Sequence, residues 1–139
     1  MLMTKNKKKK IYIIILVILI VGGCFLGKDE IAFHFSLNKA FYYMEHYEYQ
    51  QAVTEYTSLI KQKPEVYELY INKAVALANL EQYDDALKTF KQAENINSMD
   101  PELYYNLAHL YDIMGEKELE QECLDKGTEL TFEANTKEE

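Results

Sequence analysis

Shifting residues 33–66 by 34 positions lays them on 67–100, and a second shift lays them on 101–134. Asn38, Asn72 and Asn106 then share a column, as do Ala40, Ala74 and Ala108. Tyr43, Leu77 and Tyr111 coincide, and so do Tyr56, Phe90 and Leu124; Ala52 matches Ala86, and Tyr49 matches Tyr83. Self-similarity at one fixed spacing restricts the fold more than composition does. Each unit must be a supersecondary motif that buries its apolar face against the next copy.

The units read as pairs of helices, and with only 5 Gly and 2 Pro in 139 residues few tight turns interrupt them. First helices are predicted over 30–46, 65–80 and 101–114, and second helices over 49–63, 84–97 and 117–130. Pro64 ends the first pair, Asp100-Pro101 supplies a capping acid and a first-turn proline, and Gly115 suits the left-handed backbone of a turn. The alanine columns mark places where two helices cross closely, with Tyr43, Leu77, Tyr56 and Phe90 filling the space beside them.

Tyr104-Tyr105-Asn106-Leu107-Ala108-His109-Leu110-Tyr111 with Gly115, and Tyr83-Asp84-Asp85-Ala86 continuing through Phe90 to Ala93, resemble the first- and second-helix signatures of the tetratricopeptide repeat (TPR) family. The resemblance covers about 33–130 and implies an all-α fold, an α-solenoid of three helix-turn-helix repeats (33–66, 67–100 and 101–134). The third repeat departs from the pattern: Lys117, Glu120 and Gly127 stand where the family has an aromatic residue and alanines. A looser or different packing of its second helix is expected there. Residues 135–139 read as a solvated, disordered acidic tail.

Ahead of the repeats, Lys7-Lys8-Lys9-Lys10 precedes an uncharged apolar run over 11–27. As a helix at about 1.5 Å per residue this run reaches roughly 25 Å, the short end of a bilayer span. Two anchors fit it. The run is either a permanent transmembrane helix, or the signal of a lipoprotein in which Val21-Gly22-Gly23-Cys24 resembles a bacterial lipobox and Cys24 carries the lipid. In both, residues 1–27 anchor the chain, the lysines stay cytoplasmic, and the body faces outward from the cell membrane. The Arg-free, Lys/Ile/Tyr/Asn-rich composition and the lipobox-like site suggest a bacterial envelope protein.

Residues 28–139 hold ten Lys against 23 acids, a balance of −13, which disfavours nucleic acid. Cys24 and Cys123 fall in different parts of the chain, so no internal disulfide is expected. His34, His46 and His109 fit no metal motif, and neither a phosphate loop nor a nucleophile elbow occurs. Cys123 sits among acids that raise a thiol pKa rather than lower it. An enzyme, a cofactor and a metal are therefore not expected.

The TPR resemblance implies that first helices line a groove for an extended partner. Carried over residue by residue, the groove comprises His34, Leu37, Phe41, Met44 and Glu45 in the first repeat. The second contributes Glu68, Ile71, Val75, Ala78 and Asn79, and the third Glu102, Tyr105, His109, Asp112 and Ile113. The basic clamp of TPR co-chaperones is absent, since Leu37, Phe41, Glu102 and Asn106 occupy its positions and only Asn72 fits. An apolar or basic protein segment is the expected partner. Two roles stand open: an adaptor or assembly scaffold, and an inhibitory or immunity-type binder of one protein. A homodimer through the last helix, using Leu119, Cys123, Leu124, Leu130 and Phe132, is a further expectation.

Overall fold

The computed structural model describes residues 27–136. The backbone is helical over 27–45 (α1), Tyr49–Gln62 (α2), Tyr67–Asn79 (α3), Tyr83–Ile96 (α4), Pro101–Met114 (α5) and Lys117–Thr136 (α6). No strand occurs among the described residues. The chain divides into two compact units, Met1–Ser36 and Leu37–Glu139. In the described part of the first unit, the His34 ring lies 3.4 Å from Glu30 one turn away and edge-on to Phe33. The apolar run over 11–26 and Cys24 lie outside the described residues. Within those residues, no helix is long and apolar enough to cross a membrane.

In the second unit each helix packs on its neighbours in sequence, and α3 also touches α5. The second helices show why: in α2 the buried residues are Ala52, Tyr56 and Leu59, one turn or so apart, so a single stripe faces inward. In α4 the stripe is Ala86, Thr89, Phe90 and Ala93. The alanine columns are the crossing points: Ala40, Ala52, Ala74 and Ala86 are fully buried, and Ala108 is nearly so. Phe90, Leu103 and Leu110 fill the core beside them, each burial contributing about 1.5–3 kcal/mol.

The 34-residue repeat recurs in the hydrogen bonds. Each first helix ends in a residue of positive φ: Tyr47 at 60°, Glu81 at 61° and Gly115 at 79°. In each case its N–H and the next one close on carbonyls of the preceding turn, as in Glu48 N–H to Tyr43 O, Gln82 N–H to Leu77 O and Glu116 N–H to Tyr111 O. This is the Schellman arrangement three times over. The Tyr70 hydroxyl donates to Pro64 O at 2.9 Å, and the Tyr104 hydroxyl to Ser98 O at 3.0 Å, so each tyrosine pins the loop six residues before it. The asparagine column also has a purpose. Asn72 and Asn106 donate to Glu68 O and Glu102 O of their own helices.

Asp100 joins two repeats. Its Oδ1 accepts from the Glu102 N–H at 2.8 Å, capping α5, and its Oδ2 accepts from the Tyr67 hydroxyl at the start of α3. Burial, then the Asp100 carboxylate, pushes the Tyr67 phenol well above its ordinary range.

The third repeat is not loose. Gly127 is buried, and a Cβ added to it would meet the Tyr105 ring. Lys117, where the other repeats have Tyr49 and Tyr83, pairs with Asp112 and with Glu120, the latter at 2.8 Å. An ion-paired corner thus replaces the aromatic and the alanine. The helix α6 continues to Thr136, so Asn135 and Thr136, expected in the tail, are helical.

Candidate functional site

The first helices of the second and third repeats meet around a cavity of about 70 Å³. Val75, Ala78 and Asn79 come from α3, while Asn106, His109, Leu110 and Ile113 come from α5; Phe90 of α4 completes the lining. Phe90 and Leu110 are buried core residues, whereas Ile113 is 48% exposed. A space this small takes one partner side chain; a free small-molecule ligand ordinarily needs some 300 Å³ or more.

Its polar groups are the amides of Asn79 and Asn106 and the imidazole of His109. Asn79 Nδ2 donates to Val75 O at 2.8 Å and Asn106 Nδ2 to Glu102 O at 2.9 Å. Each amide is thereby tied to its own helix by one N–H, which leaves its Oδ1 as an acceptor and its second N–H as a donor. An apolar lining with acceptor groups suits an aliphatic side chain or the stem of a cationic one.

Of the residues expected in the groove from sequence, Val75 and His109 come together at this cavity with Ala78, Asn79 and Ile113. Ile71 does not belong to the surface: it is only 5% exposed and lies in the core, because the bulky first-helix residue of that repeat has a small counterpart, Ala93, on α4. Tyr105 is 41% exposed, but its ring covers Gly127 and its hydroxyl lies 3.1 Å from Thr131 Oγ1. Asp112 is not an isolated acid: the Lys117 ammonium beside it holds its carboxyl below the usual carboxylate range. Phe41 is 43% exposed and meets the fully buried Tyr56 edge-on, with centroids 6.3 Å apart. Leu37 and Met44 are half-buried in the same unit, and His34 lies in the first unit.

Sequence reasoning missed Asn106, Phe90 and Leu110 as lining residues. The asparagine column was the available signal for Asn106. On the last helix, Leu130 is buried in the core while Phe132 is 70% exposed and Leu119 38%. Burial, then Glu122 and Glu94, raises the Cys123 thiol, so the acids act as expected but burial leads. The His46 ring stacks on Tyr42 and bonds Tyr42 O at 2.8 Å. No group of three His, Cys, Asp or Glu side chains among the described residues could hold a metal.

A TPR repeat model matches residues 76–115 and a tetratricopeptide repeat model matches 101–133. No curated protein matches the sequence. Among solved structures the chain is similar to MamA from MSR-1, with a TM-score of 0.68 at 22% identity, over 73% of this chain and 59% of that one. It thus spans about three fifths of that relative. The TPR2B domain of yeast Sti1, solved in complex with pHsp70, gives a TM-score of 0.70 at 24% identity over 76% of this chain and 85% of that one. A chain of the CopN–Scc3 complex gives 0.62 at 19% identity, over 68% and 56%. At such identities the likeness is one of fold. With two adjoining repeat matches and hydrogen bonds that recur every 34 residues, the chain is a tetratricopeptide repeat protein.

Proposed function

We propose that this chain is a membrane-anchored protein-binding module, an adaptor that offers its α3–α5 face to an extended segment of a partner protein. The observation that carries this reading is the side-chain-sized apolar cavity between α3 and α5, with Asn79 and Asn106 presenting acceptors. A segment bearing an aliphatic or basic side chain is the complementary partner. TPR-type structures solved with partners, Sti1 TPR2B with pHsp70 and the CopN–Scc3 complex, give the reading its precedent.

The basic and apolar N-terminus supports the anchor. Tethering outside the cell membrane would raise the groove's effective concentration for envelope or secreted partners. Leu119 and Phe132, exposed on α6, keep a homodimer within the reading.

A photo-crosslinking residue placed at Ile113 tests the groove, with the exposed Thr54 of α2 as control. A partner captured from position 113 alone supports the proposal, and equal capture at both positions sinks it. The anchor is tested by the intact mass of membrane-extracted protein and of a Cys24→Ala variant. A lipidated product starting at Cys24, lost in the variant, marks a lipoprotein. A full-length mass marks a permanent span, and a protein found only in the soluble fraction overturns both.

A further inference from the structure

We infer that the cleft between α2 and α4, floored by α3, is a second binding site, one that takes a glutamate side chain of a partner polypeptide between Lys73 and Lys88. The cleft has a volume of about 390 Å³ and shares no lining residue with the α3–α5 cavity, so this inference does not rest on the groove.

Its lining is rich in donors. Lys73 and Lys88 bring ammonium groups, Gln82 and Gln92 bring amides, and Asp85 is the single carboxylate. The side chains of Lys73, Lys88, Gln82 and Gln92 make no hydrogen bond or ion pair within the described residues. Lys28, Lys61 and Lys91 are unpaired as well, but all three are exposed. Lys39, Lys117 and Lys126 all find carboxylates, at Glu55, at Asp112 and Glu120, and at Glu129. Lys73 is half-buried, and Asp85 acts on it electrostatically without pairing, while Lys61 repels it. Burial holds the Lys73 ammonium below its ordinary pKa. A cation partly withdrawn from water without a counter-ion is a cost that a bound anion removes.

The rest of the cleft selects among anions. Val53 and Leu77 give it an apolar side that suits the methylene stem of a glutamate. Asp85 opposes a dianion more strongly than a single carboxylate, which disfavours a phosphate group. The acidic body as a whole repels polyanionic surfaces, nucleic acid and anionic membrane alike. One carboxylate delivered on a polypeptide meets all of these conditions.

The test uses the full-length chain in a non-ionic detergent, with NMR signals of the lysine side chains and glutamine amides as readout. A blocked peptide with a single glutamate among alanines, and inorganic phosphate, are titrated separately. The peptide should shift Lys73, Lys88, Gln82 and Gln92 saturably. Lys73→Met and Lys88→Met should each weaken it by about tenfold or more, whereas Lys126→Gln should leave it unchanged. Asp85→Asn should tighten binding, a gain that a merely unfolded variant cannot produce. Absence of shifts at these residues, or equal weakening by Lys126→Gln, overturns the site. Saturable phosphate binding without peptide binding overturns the polypeptide partner.

Discussion

The ring of Tyr105 occupies the space that a β-carbon on Gly127 would need: a Cβ built there lies 2.8 Å from Cε1 and 3.1 Å from Cδ1 and Cζ. The same two columns read Leu37 and Leu59 in the first repeat, and Ile71 and Ala93 in the second. The pairing is most uneven in the third repeat, where the bulkiest first-helix residue, Tyr105, meets the smallest counterpart, Gly127. Gly127→Ala should therefore forgo the gain of about 1 kcal/mol that alanine normally brings to a helix interior. In a Tyr105→Ala background the same change should stabilise by about that amount. A double-mutant cycle by denaturant unfolding measures the coupling, and additive values would remove the contact as the cause.

The left-handed residues give a stabilising pair. Tyr47 and Glu81 hold positive φ with a Cβ, whereas Gly115 holds it without one. Tyr47→Gly and Glu81→Gly should each raise stability by about 0.5–1 kcal/mol, and Gly115→Ala should lower it by about 1 kcal/mol. Thermal midpoints of the three variants check this, and a loss in both glycine variants would contradict it.

Tyr56 is fully buried and its hydroxyl has no hydrogen-bond partner. Tyr56→Phe should raise stability by about 1 kcal/mol at neutral pH, since it removes an unpaired polar group and keeps the ring. Burial pushes the Tyr56 phenol from 10.0 up to about 12. With the folded value raised, the protonated form's contribution is complete below pH 10 and disappears as pH rises through about 12. The wild type should thus lose about 2–3 kcal/mol more than Tyr56→Phe over that window. Parallel alkaline unfolding curves would refute it.

Asp100 serves a helix cap and an inter-repeat bond with separate oxygens. Asp100→Ala should cost about 2.5–3 kcal/mol, the sum of a cap near 1 and a charged hydrogen bond of about 1.5–2. Tyr67→Phe should cost only the second part. Equal losses in the two variants would show that the cap contributes nothing.

The spacing made the repeats legible in the sequence, because helix crossings need small residues at fixed positions and Ala40, Ala52, Ala74, Ala86 and Ala108 supply them. Gly115 announced its turn, whereas Tyr47 and Glu81 concealed theirs behind residue types that rarely adopt positive φ. Gly127 looked like lost packing because the compensating group, Tyr105, lies 22 residues earlier on another helix. Asp112 read as an open acid because its partner Lys117 follows the turn. Five of the eight residues lining the α3–α5 cavity were legible for the same reason as the repeats: Val75 and His109, for instance, occupy equivalent turns of equivalent helices. Ile71 was misplaced because exposure at its column depends on the size of its counterpart, which the period does not carry.

Each helix of the second unit leans mainly on those beside it in sequence. Such a body can be assembled vectorially. A repeat can close once its own residues have emerged and its predecessor offers a surface to settle on, without waiting for a distant C-terminus to arrive. A chain delivered from one end, whether from a ribosome or through a pore, would expose at any moment little more apolar surface than one unfinished repeat.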